Sequence, residues 1–428
     1  MSDKKYNQKT DYRVRFADEL LERALKTTGA VQVIGPKWCG KTTTAERVSN
    51  TAIYFQDPDE RRRLQSIAAE KPSILLAGEK PILLDEWQDA PEMWDAVRFA
   101  VDRDNTPGQY ILTGSSVIKD YEKISHTGTG RFSKVRMRTM SLFESGESNG
   151  SISLLDIVNG NDVSGSSKAG LEEIAFTIAR GGWPASVSLN DDFSLYRARD
   201  YVDSIAESDI SRVDGVEKNP KRVKLLMRSL ARNESSEAKM TTLKADMESD
   251  EGDLSTNTIA VYLNALRRLY VLEEQEAWAP AVRDKTAMRS SPIRRYCDPS
   301  VAVALLRMTP EKLLVDFNTF GLLFESLCIR DLKIYAEAID GNVFHYRDAR
   351  GLEADAIIEL GDGRWGAIEI KLEGRNEEKA ASSLLKLQRE VRSQHGGAAS
   401  FLAIITAVGM AYRRNDGIYM VPLACLRP

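Results

Sequence analysis

The chain has 428 residues, of which 42% are hydrophobic and 29% charged, a balance that indicates a globular protein of about two or three domains. Its formal net charge of −4 excludes a generally basic surface, so any contact with nucleic acid must come from a local basic patch. Four scattered cysteines and three histidines argue against a disulfide framework or structural zinc, and the polar first residues and lack of a long apolar run predict a cytoplasmic protein with no membrane segment. Residues 11–28 have apolar side chains at helical spacing and predict an amphipathic helix without chemistry of its own.

Residues 35–42, GPKWCGKT, match the phosphate-binding pattern G-x-x-x-x-G-K-[ST] at every fixed position. An apolar strand is predicted before this loop and a helix after it, so the loop lies at a helix N-terminus. Backbone N–H groups can cradle phosphates there, Lys41 can reach the β- and γ-phosphates, and the Thr42 hydroxyl can ligate Mg²⁺. We therefore predict a site for ATP and Mg²⁺ formed by Gly35, Pro36, Lys37, Trp38, Cys39, Gly40, Lys41, Thr42 and Thr43.

A second apolar strand, at 80–84, ends in Asp85 and Glu86. Two carboxylates where a strand emerges suit a Walker B site, in which Asp85 holds Mg²⁺ and Glu86 polarises the attacking water. A solvated strand end is the alternative. The strand at 109–114 leads into Ser115, which contacts either the γ-phosphate or the water, or belongs to an ordinary turn.

Arg131 follows a glycine-rich stretch and is a candidate arginine finger. Such a residue stabilises the transferred phosphoryl group, either in its own chain or in a neighbouring one. A surface charge without a catalytic role is the alternative.

The chain resembles, over most of its length, the prokaryotic AAA-type ATPases that carry a C-terminal module of unknown function, through the segments GPKWCGKT, ILLDEWQDAPEMWDAVRFAVD, YILTGSS, GRFSKVRMRTMSLFE and GGWP. The resemblance implies an α/β fold with a P-loop domain, built on a parallel sheet, and a helical lid. A winged helix and a restriction-endonuclease-like α/β domain of the PD-(D/E)xK type would follow. The chain departs from the family pattern at Trp38 and Cys39, where small or polar residues are common.

Glycine, serine and asparagine dominate residues 144–170, which predicts a linker or mobile entrance to the lid. Helices are predicted at 171–180 and 193–210, and together they resemble the lid of that family. We therefore expect four parts, an ATPase domain at 1–145, linker and lid at 146–215, a winged helix at 216–300 and a nuclease-like domain at 301–428.

Three helices and a strand at 222–273 have the spacing of a winged helix. Six basic residues give this part a local positive charge: Lys221, Arg222, Lys224, Arg228, Arg267 and Arg268. Five more belong to the wing or to a loop near it: Arg283, Lys285, Arg289, Arg294 and Arg295. Acidic residues lie beside this patch, so DNA binding and protein docking both stay open.

The C-terminal third carries the constellation Glu325, Asp355, Glu369 and Lys371, an arrangement that resembles a PD-(D/E)xK nuclease. Two carboxylates would hold Mg²⁺ while the lysine orients or activates water. If residues 361–363 form a three-residue loop, Asp355 lies opposite Glu369 on the neighbouring strand. Gln388 is a further candidate for this pocket. Solvated acids on a retained, inactive fold are the alternative.

These patterns predict a protein that binds and hydrolyses ATP and whose nucleotide state repositions a winged-helix and nuclease-like module. One alternative is an ATP-controlled, metal-dependent nuclease, and another is a binding switch with little turnover. The partners expected are ATP and nucleic acid, together with a second copy of the chain or another protein, and no membrane.

Overall fold

The computed structural model describes residues 12–115, 128–189, 192–213, 215–251, 255–280, 291–348, 350–372, 377–395 and 397–428. Within these ranges, no helix is both long and apolar enough to cross a membrane. All four cysteines are buried free thiols.

The first domain is built on a sheet of five parallel strands in the order β2-β3-β4-β1-β5. Its strands are β1 Ala30–Ile34, β2 Thr51–Tyr54, β3 Ile82–Asp85, β4 Tyr110–Gly114 and β5 Phe132–Arg136. Its helices are α1 Phe16–Thr27, α2 Lys41–Glu46, α3 Arg61–Glu70 and α4 Glu92–Arg103. This is the parallel α/β architecture that the alternating apolar segments predict.

Alternate residues of these strands enter two separate cores, because successive side chains of a strand point to opposite faces. Leu84 joins the core beneath α3 and α4, whereas Leu83 joins the core beneath α1 and α2. Both faces of the sheet are therefore covered, as a parallel sheet requires. All five carboxyl ends lie at one edge, where the loop after β1 meets the residues that follow β3 and β4.

Residues 146–170 do not form the predicted linker. The short strand β6 Ile152–Ser153 pairs with the last strand, Leu426–Arg427, and β7 Gly165–Ser166 pairs with a strand at Met410–Arg413. Ile157 and its apolar neighbours are buried in the core of the C-terminal part. The linker prediction is wrong because this apolar island anchors a segment whose composition is otherwise loop-like.

The lid is helical, as predicted, but its last helix is interrupted. Two short helices precede it, α5 Leu142–Ser145 and α6 Leu154–Val158. The lid helices are α7 Leu171–Arg180, α8 Pro184–Leu189, α9 Tyr196–Ser204 and α10 Ile210–Arg212. One π-helical turn, Ile205–Asp209, joins α9 to α10. Such wide turns are uncommon inside helices and are frequent at functional sites.

Three helices and an antiparallel strand pair follow, which is the element order predicted from the sequence, and the winged helix stays a prediction. They are α11 Pro220–Arg232, α12 Met240–Glu251, α13 Thr256–Arg268, β8 Leu272–Gln275 and β9 Ile293–Tyr296. The predicted wing residues Arg283, Lys285 and Arg289 lie outside the described residues.

The C-terminal part contains a mixed sheet in the order β10-β11-β12-β13-β15-β14-β7. Its remaining strands are β10 Gly341–Arg347, β11 Glu353–Leu360, β12 Trp365–Lys371, β13 Phe401–Thr406, β14 Met410–Arg413 and β15 Tyr419–Pro422, and β16 is Leu426–Arg427. Its helices are α14 Pro299–Leu306, α15 Pro310–Val315, α16 Phe317–Ala338 and α17 Glu377–His395. The first three strands form the predicted antiparallel meander, and β13 runs parallel to β12.

One continuous apolar core joins the lid, the middle helices and one face of this sheet. It includes Ile178 of the lid, Leu226 and Leu263 of the middle helices, Phe324 of α16 and Ile368 of β12. The parts predicted at 146–215, 216–300 and 301–428 therefore share an interior rather than folding as separate bodies.

Candidate functional site

The phosphate-binding loop turns sharply between β1 and α2. Gly35 and Gly40 have positive φ angles of 155° and 103°, and a Cβ atom on Gly35 would lie 2.1 Å from the backbone oxygen of Met137. Gly35 therefore has no room for a side chain. Lys41 is buried, and its ammonium donates to the backbone oxygens of Gly35 (3.1 Å) and Pro36 (2.9 Å). The positive charge thus lies against the loop itself.

Asp85 ends strand β3 directly beside Thr42. The hydroxyls of Thr42 and Thr113 both donate to Oδ1 of Asp85, at 2.7 Å and 2.6 Å. Burial raises the pKa of Asp85, and the two threonine hydrogen bonds oppose that rise. Hydroxyl and carboxylate oxygens are ligands that Mg²⁺ accepts beside phosphates, so the residues present at this position fit the ion.

Glu86 adopts a left-handed backbone conformation, with φ 51° and ψ 47°. This conformation is uncommon outside glycine and often marks a functional position. Oε2 of Glu86 accepts hydrogen bonds from the Ser115 hydroxyl (3.1 Å) and backbone N–H (3.3 Å), and the Gln88 amide donates to the same oxygen. The structure therefore brings Ser115 to the site as a partner of Glu86, not as a free hydroxyl.

Of these residues, Gly40, Lys41, Thr42 and Glu86 line a cleft of about 840 Å³ between the first domain and the lid. The sequence analysis missed several side chains on its walls: Tyr12, Arg13, Arg15, Gln56, Met137, Met140, Trp183, Pro184 and Arg197. Arg197 lies on lid helix α9 and is exposed, and its side chain makes no hydrogen bond or ion pair with another residue that the structure describes. It therefore adds positive charge to the lid side of the cleft.

Arg15 connects the P-loop with the segment that leaves the sheet. It is buried, and its guanidinium donates to the backbone oxygens of Cys39 (3.0 Å) and Arg138 (2.9 Å) and lies 3.1 Å from Glu144. The residues before α1, which carry no recognisable motif, thus hold the loop in place.

Lys37 and Trp38 contact the lid. The Lys37 ammonium lies 2.6 Å from Oδ1 of Asp209, and the Trp38 ring lies 5.4 Å from the ring of Tyr201. Trp38 itself has a positive φ of 67°, and its neighbour Cys39 is fully buried. The departure from the family pattern thus coincides with a contact between the loop and the lid.

Arg131 is not near the phosphate-binding loop. It precedes strand β5 and so lies at the amino edge of the sheet, opposite the carboxyl edge that carries the cleft. Its guanidinium donates to Asp102 at 2.7 Å and to the backbone oxygen of Thr129 at 2.9 Å. This position contradicts a finger within the same chain, and a role toward a neighbouring chain stays a prediction.

The C-terminal acids show the predicted register. Leu360 donates to the backbone oxygen of Arg364 across a three-residue loop, and the β11–β12 pairing that follows places Asp355 opposite Glu369. The Lys371 ammonium lies 2.6 Å from Glu369 and 3.5 Å from Asp355. Lys371 therefore bridges the two carboxylates.

Glu325 of α16 faces a second cation. Its Oε1 lies 2.6 Å from Nη2 of Arg295, a buried residue of β9 that also donates to Gln275. Burial raises the pKa of Glu325 and of Glu369 to about 7. No group of three histidine, cysteine or acidic side chains among the described residues is placed to hold a metal ion, and no described hydrogen bond connects Gln388 to this cluster.

Two residues of the predicted basic patch, Lys224 and Arg267, pair with nearby acids, and so does Arg294 of the predicted wing. Lys224 pairs with Asp203 (2.8 Å) and Glu207 (3.0 Å), and Arg267 and Arg294 both pair with Glu274. These cations hold the middle helices and strands together, so they leave less charge for nucleic acid than the sequence suggests.

Comparison with known proteins divides the chain into three matched segments. An AAA domain matches residues 27–145, a domain of unknown function (DUF8612) matches 171–312, and a second one (DUF4143) matches 320–426. Uncharacterized proteins of Mycobacterium tuberculosis and Mycobacterium bovis are each 23% identical over 364 residues, which is 83% of this chain and 73% of theirs.

Among solved structures, a Walker-type ATPase of Pyrococcus abyssi is 15% identical and covers 68% of this chain and 94% of its own, with a TM-score of 0.42. A RuvB variant of Thermotoga maritima covers 60% of this chain and 88% of its own at 15% identity, with a TM-score of 0.27. The site geometry and the matched family model together identify residues 27–145 as an AAA-type, P-loop ATPase-like domain.

Proposed function

We propose that the chain binds and hydrolyses ATP in the cleft between the first domain and the lid. The observation that carries this proposal is the convergence of Lys41, the Thr42–Asp85 pair and Glu86 on one cleft at the carboxyl edge of a parallel sheet. Phosphate, metal and water would each meet a side chain of suitable chemistry there.

Each residue has a separate task in this mechanism. Backbone N–H groups of the loop and the Lys41 ammonium bind the phosphates, and Arg197 adds charge from the lid. Thr42 and Asp85 would hold Mg²⁺, which neutralises charge on the phosphates. Glu86 accepts a proton from, or polarises, the attacking water, and the hydrogen bonds from Ser115 fix its carboxylate in position.

A chain of ion pairs, buried except at Glu337, favours transmission from this cleft to the C-terminal part. Arg138, whose backbone oxygen accepts a hydrogen bond from Arg15, lies 3.1 Å from Glu273 of β8 and 2.8 Å from Glu337 of α16. Lys333 lies 3.0 Å from the same Glu273. Buried charges are costly to separate, so these residues would move together when the loop takes up nucleotide.

The test measures ATP hydrolysis with Mg²⁺ or with EDTA, in the presence and absence of DNA and RNA that are followed for cleavage. We expect Mg²⁺-dependent hydrolysis. Binding without turnover would favour the alternative of a nucleotide-dependent switch. Failure of the chain to bind ATP at millimolar concentration would end the proposal.

A second candidate function is a metal-dependent nuclease controlled by the ATPase. The observation that favours it is the register of Asp355 and Glu369, with Lys371 within 3.5 Å of both. Since Lys371 already bridges these carboxylates, an ion would have to displace its ammonium. Plasmid nicking with Mg²⁺ or Mn²⁺ that disappears in Asp355→Ala and in Lys371→Ala would support this function. Plasmid that stays intact under all conditions would indicate a nuclease-like fold that is retained without cleavage activity.

A further inference from the structure

Two adjacent residues of the phosphate-binding loop contact one lid element, the segment 196–212. Lys37 pairs with Asp209 at the end of the π-helical turn, and the Trp38 ring packs on Tyr201, whose own ring lies 4.5 Å from Trp183. The lid therefore contacts the loop through one ionic and one aromatic contact on consecutive residues.

Asp209 is an unusual partner for a surface lysine. Its side chain is only 7% exposed, whereas that of Lys37 is 37% exposed and lines the cleft. Lys37 supplies the one ion pair that Asp209 makes with another described residue. A buried carboxylate that loses its counter-ion is strongly destabilised, so the docked position of this lid turn depends on Lys37.

Lys37 has access to two anions. It occupies one of the positions that the pattern G-x-x-x-x-G-K-[ST] leaves open. Its flexible side chain lines the same cleft that would take the phosphates. A polyphosphate carries several negative charges and Asp209 carries one, and the Coulomb attraction grows with the product of the charges. Nucleotide therefore competes with Asp209 for the Lys37 ammonium.

We propose that Asp209 is a positioning residue that competes with nucleotide phosphate for Lys37, so that nucleotide binding frees Asp209 and loosens the lid turn at 205–212. This inference rests on the proposed function, since it requires that the cleft bind nucleotide. It makes the lid responsive to nucleotide through residues 37 and 38 rather than through the fixed positions of the motif. The Trp38–Tyr201 contact leaves the lid attached while the ionic contact exchanges.

Asp209→Asn tests the competition, because asparagine keeps the size of the side chain and removes its charge. We expect ATP to bind about tenfold more tightly in calorimetric titration, a coupling of ordinary size between two sites. The matched control is Asp203→Asn, which removes the same charge from the same lid element. Asp203 is 58% exposed and pairs with Lys224 rather than with the loop. The affinity of the Asp203→Asn variant for ATP should therefore equal that of the parent chain.

A double-mutant cycle assigns the effect to Lys37. In the background of Lys37→Met, which keeps most of the stem and removes the charge, Asp209→Asn should no longer tighten binding. Equal affinities of the parent, Asp209→Asn and Asp203→Asn would overturn the inference while leaving the proposed function intact. A parent chain that binds no ATP would instead end the proposed function, and the inference with it.

A second measurement needs no variant and so covers the case in which Asp209→Asn fails to fold. Amide hydrogen exchange of residues 205–212 in the parent chain should rise when ATP is added, because the carboxylate at 209 must then be hydrated. Unchanged or slower exchange in this turn, at ATP concentrations that saturate the cleft, would show that Asp209 keeps its partner and would contradict the proposal.

Discussion

Two groups of charged side chains, Lys41 with Asp85 at the nucleotide cleft and the C-terminal acidic cluster, each lie where strands of a sheet end, yet their charges have opposite kinds of partner. In the cleft, the hydrogen-bond partners described for Lys41 and Asp85 are neutral, either backbone oxygens or threonine hydroxyls. In the cluster, Glu369 and Asp355 face Lys371, and Glu325 faces Arg295.

This difference separates a site that a bound ion would stabilise from a site whose charges are already paired with each other. Neutral partners give way to a charged ligand at little cost, because the ligand forms stronger, charge-assisted hydrogen bonds. Internal ion pairs must first be broken. The cleft is therefore prepared to bind a charged ligand and the cluster is not. The sequence shows charged residues at both places but does not show which partners they have.

The largest expected effect on nucleotide binding is that of Lys41→Ala. Removing the ammonium deprives the phosphates of their main side-chain charge, so affinity should fall by about 100-fold or more. Calorimetric titration with ATP measures this loss. Arg62→Ala, an exposed cation on α3, is a suitable control and should bind like the parent. Near-normal affinity of Lys41→Ala would mean that the cleft is not the ATP site.

Glu86→Gln should affect turnover and not binding. The amide keeps the hydrogen bonds to Ser115 but cannot take a proton from water, so hydrolysis should drop by about 100-fold to 10,000-fold. Phosphate release at saturating ATP measures the rate. Glu92→Gln, on the exposed side of α4, should hydrolyse ATP like the parent. Parental turnover in Glu86→Gln would transfer the role of base to another residue.

Glu234, a buried acid between α11 and α12, should make the stability of the folded chain depend on pH. Burial raises the pKa of Glu234 to about 7, from 4.5, and it accepts hydrogen bonds from Ser326 and from the N–H of Tyr296. The folded chain therefore holds a proton that the unfolded chain releases above pH 4.5. The stabilisation is complete at low pH and is lost as the pH rises toward 7, by up to about 3 kcal/mol.

Urea unfolding of the parent and of Glu234→Gln at pH 5 and at pH 7.5 measures this contribution. The difference in unfolding free energy between the two proteins should change with pH, since the neutral amide removes one titrating group. Glu237→Gln, which changes a partly exposed neighbour in the same way, is the matched control. A Glu234→Gln curve parallel to that of the parent would show that Glu234 is ionised in the folded chain.

A smaller effect is expected at the acidic cluster itself. Lys371→Met removes the ammonium that bridges Asp355 and Glu369, so Mn²⁺ should bind about tenfold more tightly, as judged by electron paramagnetic resonance titration. Lys379→Met, an exposed lysine on α17, serves as the control. If the cluster is a nuclease site, the same variant should lose cleavage while it gains metal. Unchanged Mn²⁺ affinity would indicate that the ion does not enter between these carboxylates.

The sequence predicted what local patterns encode. The P-loop, the strand that ends in Asp85, and the register of Asp355 with Glu369 all follow from short-range spacing and from one turn length. The contacts of Arg15 with Cys39, Lys37 with Asp209 and Arg295 with Glu325 join residues that are distant in the chain, and no local pattern marks them. The linker prediction for 144–170 is wrong because the composition of this segment resembles a linker, although its apolar island is buried in the C-terminal core.

The location of Arg131 follows from a signal that the sequence does contain. The residues that follow it, Phe132–Arg136, form strand β5, and an arginine placed before a parallel strand lies at the edge opposite the P-loop. Strand polarity alone therefore separates it from the phosphates of its own chain. Only the arrangement of a neighbouring chain decides whether it meets another cleft.

The smallest expected effect is accordingly that of Arg131→Ala. At protein concentrations where turnover per chain is constant, this variant should hydrolyse ATP within about twofold of the parent, because an exposed pair such as Arg131–Asp102 contributes little. If turnover per chain rises with concentration instead, Arg131→Ala should be mixed with Lys41→Ala. The first variant keeps an intact cleft and the second keeps Arg131. Activity that returns in the mixture would show that the finger acts between chains, and its absence would leave Arg131 as a surface charge.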